Sequence, residues 1–151
     1  MQRVAYNDFF DKAVGIFELI GRNRNGDIVF NYSDNNMIVT VAKDVMSRVV
    51  SDADADGYII SKIGIGENGN GPELDDTYLT NSYIKNLVNY SYPELGQVKF
   101  TWYIDYSEAN GLEIREFGLL TTNDTLFARK TRGVITKDDD LSLEGSWTII
   151  F

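Results

Sequence analysis

From Leu141 to the end of the chain, apolar residues fall at alternate positions: Leu141, Leu143, Trp147, Ile149 and Phe151, with Gly145 as the one interruption. A period of two is the side-chain period of a strand, so this stretch presents one face to a core. The pattern runs without a polar tail to residue 151, and a chain end frays unless neighbours hold it. The strand therefore needs partners along its flanks, in its own sheet or in another subunit. The same alternation marks residues 97–106. There Val98, Phe100, Trp102, Ile104 and Tyr106 share one side, and Lys99, Thr101 and Asp105 the other.

Further strands follow from the turns between them. Residues 14–20 and 27–32 read as the arms of a hairpin, because the turn at 21–26 ends in Asn25-Gly26, a pair suited to positive φ. Strands are also expected at 58–65, 112–120 and 125–131, bounded by Asp- and Gly-rich turns. Residues 66–72 form a Gly/Pro loop. Residues 73–96 read as irregular, with Leu79, Tyr83 and Ile84 as anchors. One helix is expected at about 36–51. Ile38, Val41, Ala42, Val45, Met46, Val49 and Val50 recur at helical spacing, with Asn35 or Asn36 placed to cap the start. Valines pack well there despite their low helix propensity, so the stripe is expected to lie on a sheet. The fold class is mainly β (α+β): an antiparallel β-sandwich or rolled sheet with one amphipathic helix packed on it. The 151 residues make a single domain, with an N-terminal hairpin region over 1–34 and the remaining module over 35–151.

Composition removes whole classes of chemistry. The chain has no cysteine and no histidine, so disulfides, thiolate metal sites, cysteine nucleophiles and histidine acid–base catalysis are excluded. A formal charge of −9 repels phosphate backbones and argues against nucleic acid as a partner. No stretch approaches membrane-spanning length, and residues 1–14 lack the apolar core of a signal peptide. A soluble chain is expected. Its 19 aromatic residues (8 Phe, 9 Tyr and 2 Trp) suit half-buried strands.

Three motifs could carry chemistry. Asp52, Asp54 and Asp56 before Gly57 resemble the opening half of an oxygen-ligand calcium loop. The position for the bidentate glutamate is Ile63, however, so a solvated acidic turn is the better reading and no metal site is assigned. Gly64, Gly66 and Gly69 match the spacing of a pyrophosphate-binding loop, but the sequence continues Asn70-Gly71-Pro72 where a helix should open. Carboxylates pair at Asp75 and Asp76, at Glu113 and Glu116, and from Asp138 to Asp140, as a glycosidase would need. The acidic runs lie in turns, where solvated charge is the default explanation. Tyr90, Tyr92 and Tyr103 could stack on a sugar or pack in a core.

A longer pattern runs through the chain. It opens with 35-NNMIVTVAKDVMSRVV-50, followed by Ile60, Ile63, Ile65 and Gly66, and then by 76-DTYLTN-81. Glu108 to Gly111, 114-IREFGL-119, 126-LFAR-129, 135-ITK-137 and 147-WTIIF-151 complete it. In order and spacing, residues 37–151 resemble a family of bacteriophage structural proteins related to tail-collar fibre and baseplate-associated proteins. The resemblance implies a non-enzymatic virion protein, made in the host cytoplasm, with no cofactor, no metal and no catalytic residue. Its partners would be other virion proteins and copies of itself in a ring or trimer, without nucleic acid or membrane insertion. Because no shaft follows Phe151, an adaptor, collar or baseplate component is expected rather than a receptor-binding fibre. The alternative is a calcium- or carbohydrate-binding module at the host-facing end of the virion.

Overall fold

The hairpin predicted from Asn25-Gly26 forms, and it sits at the centre of the molecule. The computed structural model describes residues 13–51 and 55–151. Strand β1 (Val14–Arg22) pairs antiparallel with β2 (Ile28–Ile38), and Gly26 takes the positive φ that its turn requires. The other side of β1 is covered by the C-terminal strand β9 (Ser142–Ile150), in register from Val14↔Ile150 to Arg22↔Ser142. Strand β6 (Gln97–Ile104) pairs with the far side of β9. Both flanks of the terminal strand are therefore used inside the chain, and its apolar end has no free edge to offer a neighbouring subunit.

The remaining strands complete one nine-stranded antiparallel sheet. They are β3 (Ile60–Gly66), β4 (Tyr83–Asn86), β5 (Asn89–Ser91), β7 (Glu113–Thr121) and β8 (Leu126–Thr136). The order is β4-β3-β7-β8-β2-β1-β9-β6-β5. This sheet is rolled on itself, which is how a large antiparallel sheet covers its own apolar face. The turning points are two. On one side β2 passes from β1 to β8, meeting β8 only at Met37↔Arg129 and Ile38↔Ala128. On the other side the two edges converge: the Leu87 amide donates to Ser61 of β3, and the next amide, Val88, donates to Thr101 of β6.

Aromatic rings fill the space between the two halves. Phe17 lies 4.8 Å from Phe117, 5.0 Å from Trp147 and 6.1 Å from Trp102, ring centre to ring centre. All four are buried, and such stacked, tilted and edge-on pairs add to their area burial. Gly145 belongs to this core. A Cβ there would stand 2.2 Å from the Trp102 ring, so only glycine lets the indole lie flat on β9. This is why the alternation of the terminal strand breaks at that position.

The helix is shorter than its stripe suggested. Helix α1 spans Ala42–Ser51 rather than 36–51, and α2 (Ala55–Tyr58) follows it. Asn35 and Asn36 do not cap it, because both lie in β2. The Asn36 Oδ1 accepts the Trp147 Nε1–H at 2.6 Å, and Ile38 continues the ladder to Ala128. Strand pairing plus a satisfied indole outweighs early helix formation. Ala42 and Val45 are buried, whereas Val49 and Val50 are exposed, so only the first half of the stripe reaches the sheet. Residues 73–96, expected to be irregular, contain β4 and β5. Of the expected anchors there, Leu79 is buried, Tyr83 packs against the core and Ile84 is 37% exposed.

Candidate functional site

In β3, β7 and β8 the burial pattern loses its alternation. Residues 63–66, 117–121 and 126–129 are buried at every position. One face of these strands meets the aromatic core. The other is covered by the loop at 67–82, which folds back across it. Gly64 and Gly118 are register partners on that outer face, and together they form a notch. The Leu79 side chain drops into it, so close that a Cβ on Gly64 would meet it at 2.6 Å. Val39, Leu120 and Leu126 complete this second cluster.

Beside the notch lies a buried ionic knot. Glu116 is fully buried and Arg129 is 2% exposed. The Arg129 Nε donates to Glu116 Oε1 at 2.9 Å, Nη1 donates to Asp76 Oδ2 at 2.9 Å, and Nη2 donates to the Asn68 carbonyl at 2.9 Å. Glu116 Oε2 accepts the amides of Asn68 at 2.8 Å and Thr80 at 2.9 Å. Both Glu116 oxygens and all three Arg129 nitrogens have a partner, the condition under which a buried pair is tolerated. At the loop's base, hydrogen bonds from the Asn81 side chain and the Glu113 amide hold the Glu67 carboxyl below its ordinary pKa. The knot thus pins both ends of the loop to the sheet.

Two smaller polar clusters fix the 105–111 turn. Lys137 is 1% exposed, and its Nζ donates to Asn110 Oδ1 at 2.8 Å and to the Asp138 carbonyl at 2.9 Å. Burial lowers its pKa, against the pull of Asp138 and other nearby carboxylates. Glu108 accepts from the Tyr83 hydroxyl, from Lys85 Nζ at 2.7 Å and from the Asp105 amide at 3.0 Å. Burial pushes its carboxyl upward, but the Lys85, Tyr83 and Asp105 hydrogen bonds outweigh it and hold the pKa at about 2.

The structure separates most residues that the sequence grouped as candidates. Glu113 and Glu116 do not face each other: Glu116 is in the knot, while Glu113 accepts from the Thr136 hydroxyl at 3.0 Å. Of the Asp75 and Asp76 pair, Asp76 binds Arg129. Asp138 Oδ1 accepts the Asp140 amide, closing a turn. Gly64 and Gly66 belong to β3, and no helix opens after Gly69. Asp56 is exposed in α2, and Asp52 and Asp54 lie outside the described residues. Among the described residues no three Asp or Glu side chains gather as a cation would require. Tyr90 and Tyr92 are exposed, with rings edge-on at 5.9 Å, whereas Tyr103 is half-buried. No helix among the described residues is long and apolar enough to cross a membrane.

The residues brought together are instead those of the long sequence pattern. Gly66, Asp76 and Leu79, Glu116 and Gly118, and Arg129 meet beneath one loop, where Gly64, outside the pattern, joins them, and Asn110 meets Lys137 beneath another. Chemically these clusters are clamps: Glu116, Arg129 and Lys137 are buried and spend their donors and acceptors on neighbours within the chain. No protein-family model, curated protein or solved structure matches the chain.

Proposed function

We propose that this chain is a non-enzymatic structural protein of a bacteriophage virion, acting as a tail, collar or baseplate adaptor or as a fibre-attachment component. Its work is done through subunit–subunit interfaces, with copies of itself and with other virion proteins. The observation that carries this reading is where the long pattern lands. Its charged and glycine positions build the knot of Glu116, Arg129 and Asp76 and the Leu79 notch. Residues spent on locking loops to a sheet serve a protein whose product is a rigid shape, as repeated particle assembly demands. Mass spectrometry of gradient-purified particles from a host carrying this sequence tests it. The chain co-purifies with particles at fixed stoichiometry under the proposal. Its presence in the lysate but absence from washed particles contradicts it.

A further inference from the structure

At one end of the rolled sheet an apolar pocket opens between α1 and the inner sheet face. Met46 and Val49 of α1, Tyr90 and Tyr92 at β5, and Val98 and Ile149 of the inner face enclose about 380 Å³. Among the described residues that line it, none is charged. Its size and apolar lining are those of a site that takes an occupant. The pocket lies where the stripe of α1 stops short of the sheet: Val45 is buried, Met46 half-buried and Val49 37% exposed. On the other side Tyr90 is 63% and Tyr92 74% exposed. Apolar surface gathered in one concave place, rather than scattered singly, calls for a partner.

A fitting occupant is tethered at the rim. Strand β1 starts at Val14, and its register partner Ile150 stands between the pocket residues Ile149 and Phe151. Neighbouring strands are about 4.8 Å apart, so the chain enters the sheet beside the pocket. Residues 1–12 lead up to that point and lie outside the described residues. They read MQRVAYNDFFDK, with Val4, Tyr6, Phe9 and Phe10 as the apolar and aromatic members. Phe10 precedes Val14 by four residues, a reach of up to about 14 Å for extended chain. Uncharged rings suit uncharged walls, and a tether this short holds them at an effective concentration on the order of millimolar. A free ligand of the same chemistry has to compete with that.

We propose that the pocket between α1 and β5 is the seat of the chain's own N-terminal segment, with Phe9 and Phe10 entering it and closing this end of the roll. The pocket is then a docking site supplied from within the chain. Any partner that reaches these walls must first displace residues 1–12.

Methyl NMR of the full chain tests this. The sequence holds three methionines, Met1, Met37 and Met46, and of these Met46 lines the pocket while Met37 sits at the β2–β8 junction. The Met46 methyl shows cross-relaxation with the ring protons of Phe9 or Phe10. In the double variant Phe9→Ala, Phe10→Ala those contacts vanish and the Met46 resonance moves, because the ring current is gone, while the Met37 resonance stays in place and reports an intact fold. A Met46 methyl that touches neither ring, or that ignores the double variant, overturns the proposal. A Met37 resonance displaced as far as that of Met46 also counts against it. Contacts that fade on dilution would come from a second copy and overturn it too. None of these results bears on the particle measurement above, so the pocket and the virion role fail separately.

Discussion

Replacing Arg129 by alanine removes three hydrogen bonds at once and strands the Glu116 carboxylate in a site with no solvent exposure. Glu116 keeps the two amides of Asn68 and Thr80 on Oε2, but Oε1 loses the Arg129 Nε donor and the charge loses its counterion. Breaking a buried pair from one side costs about 3–5 kcal/mol, because the remaining charge stays desolvated. Against a total stability of about 5–15 kcal/mol, that is a large share. In a chain of this size it lowers the melting temperature by roughly 10 °C. Urea unfolding followed by the fluorescence of buried Trp102 and Trp147 measures the loss directly. Asp76→Asn serves as the comparison. The Asp76 side chain is 24% exposed, so solvent screens its charge and the variant loses only about 1 kcal/mol. Amide exchange locates the damage, with Asn68 and Thr80 exchanging faster and β9 unchanged. An Arg129→Ala variant within about 1 kcal/mol of wild type would refute the claim that the knot is desolvated and structural.

Other expectations follow from the same structure. Leu79→Ala empties the notch over Gly64 and Gly118 and costs about 2–4 kcal/mol, read by urea titration, with the 67–82 loop becoming sensitive to protease. Because Glu108 is held at about 2 in the folded chain, against 4.5 ordinarily, its stabilisation is complete above pH 4.5 and disappears as the pH falls toward 2. Glu108→Gln therefore flattens the decline of stability over that interval, and a variant as pH-sensitive as wild type counts against the assignment. Truncation after Ser146 removes buried Trp147 and Ile149 from a strand paired on both flanks, so circular dichroism should show an unfolded chain. A folded, merely unassembled product would mean that the last strand is an interface after all.

The sequence exposed what periodicity and turn chemistry control. Alternation located β6 and β9, and Asn25-Gly26 located the first hairpin, because one face of each is buried and the other is not. Where both faces are buried, alternation vanishes. Thus nothing local to Glu116 or Arg129 reveals that a loop covers them. The long pattern did single out both residues, together with Asp76 and Leu79, but without a geometry. Strands β4 and β5 escaped because each is very short and pairs with a different half of the sheet. The start of α1 was misplaced because Ile38 fits a helical stripe and a strand ladder equally well, and the ladder to β8 decided between them.

The central claim is that this rigid sheet is a building block at the tail end of a virus particle. Gold-labelled antibodies against the purified chain, applied to intact particles and viewed by electron microscopy, test it most directly. The account predicts gold clustered at the tail, collar or baseplate. Unlabelled particles alongside abundant free protein in the same lysate would contradict it.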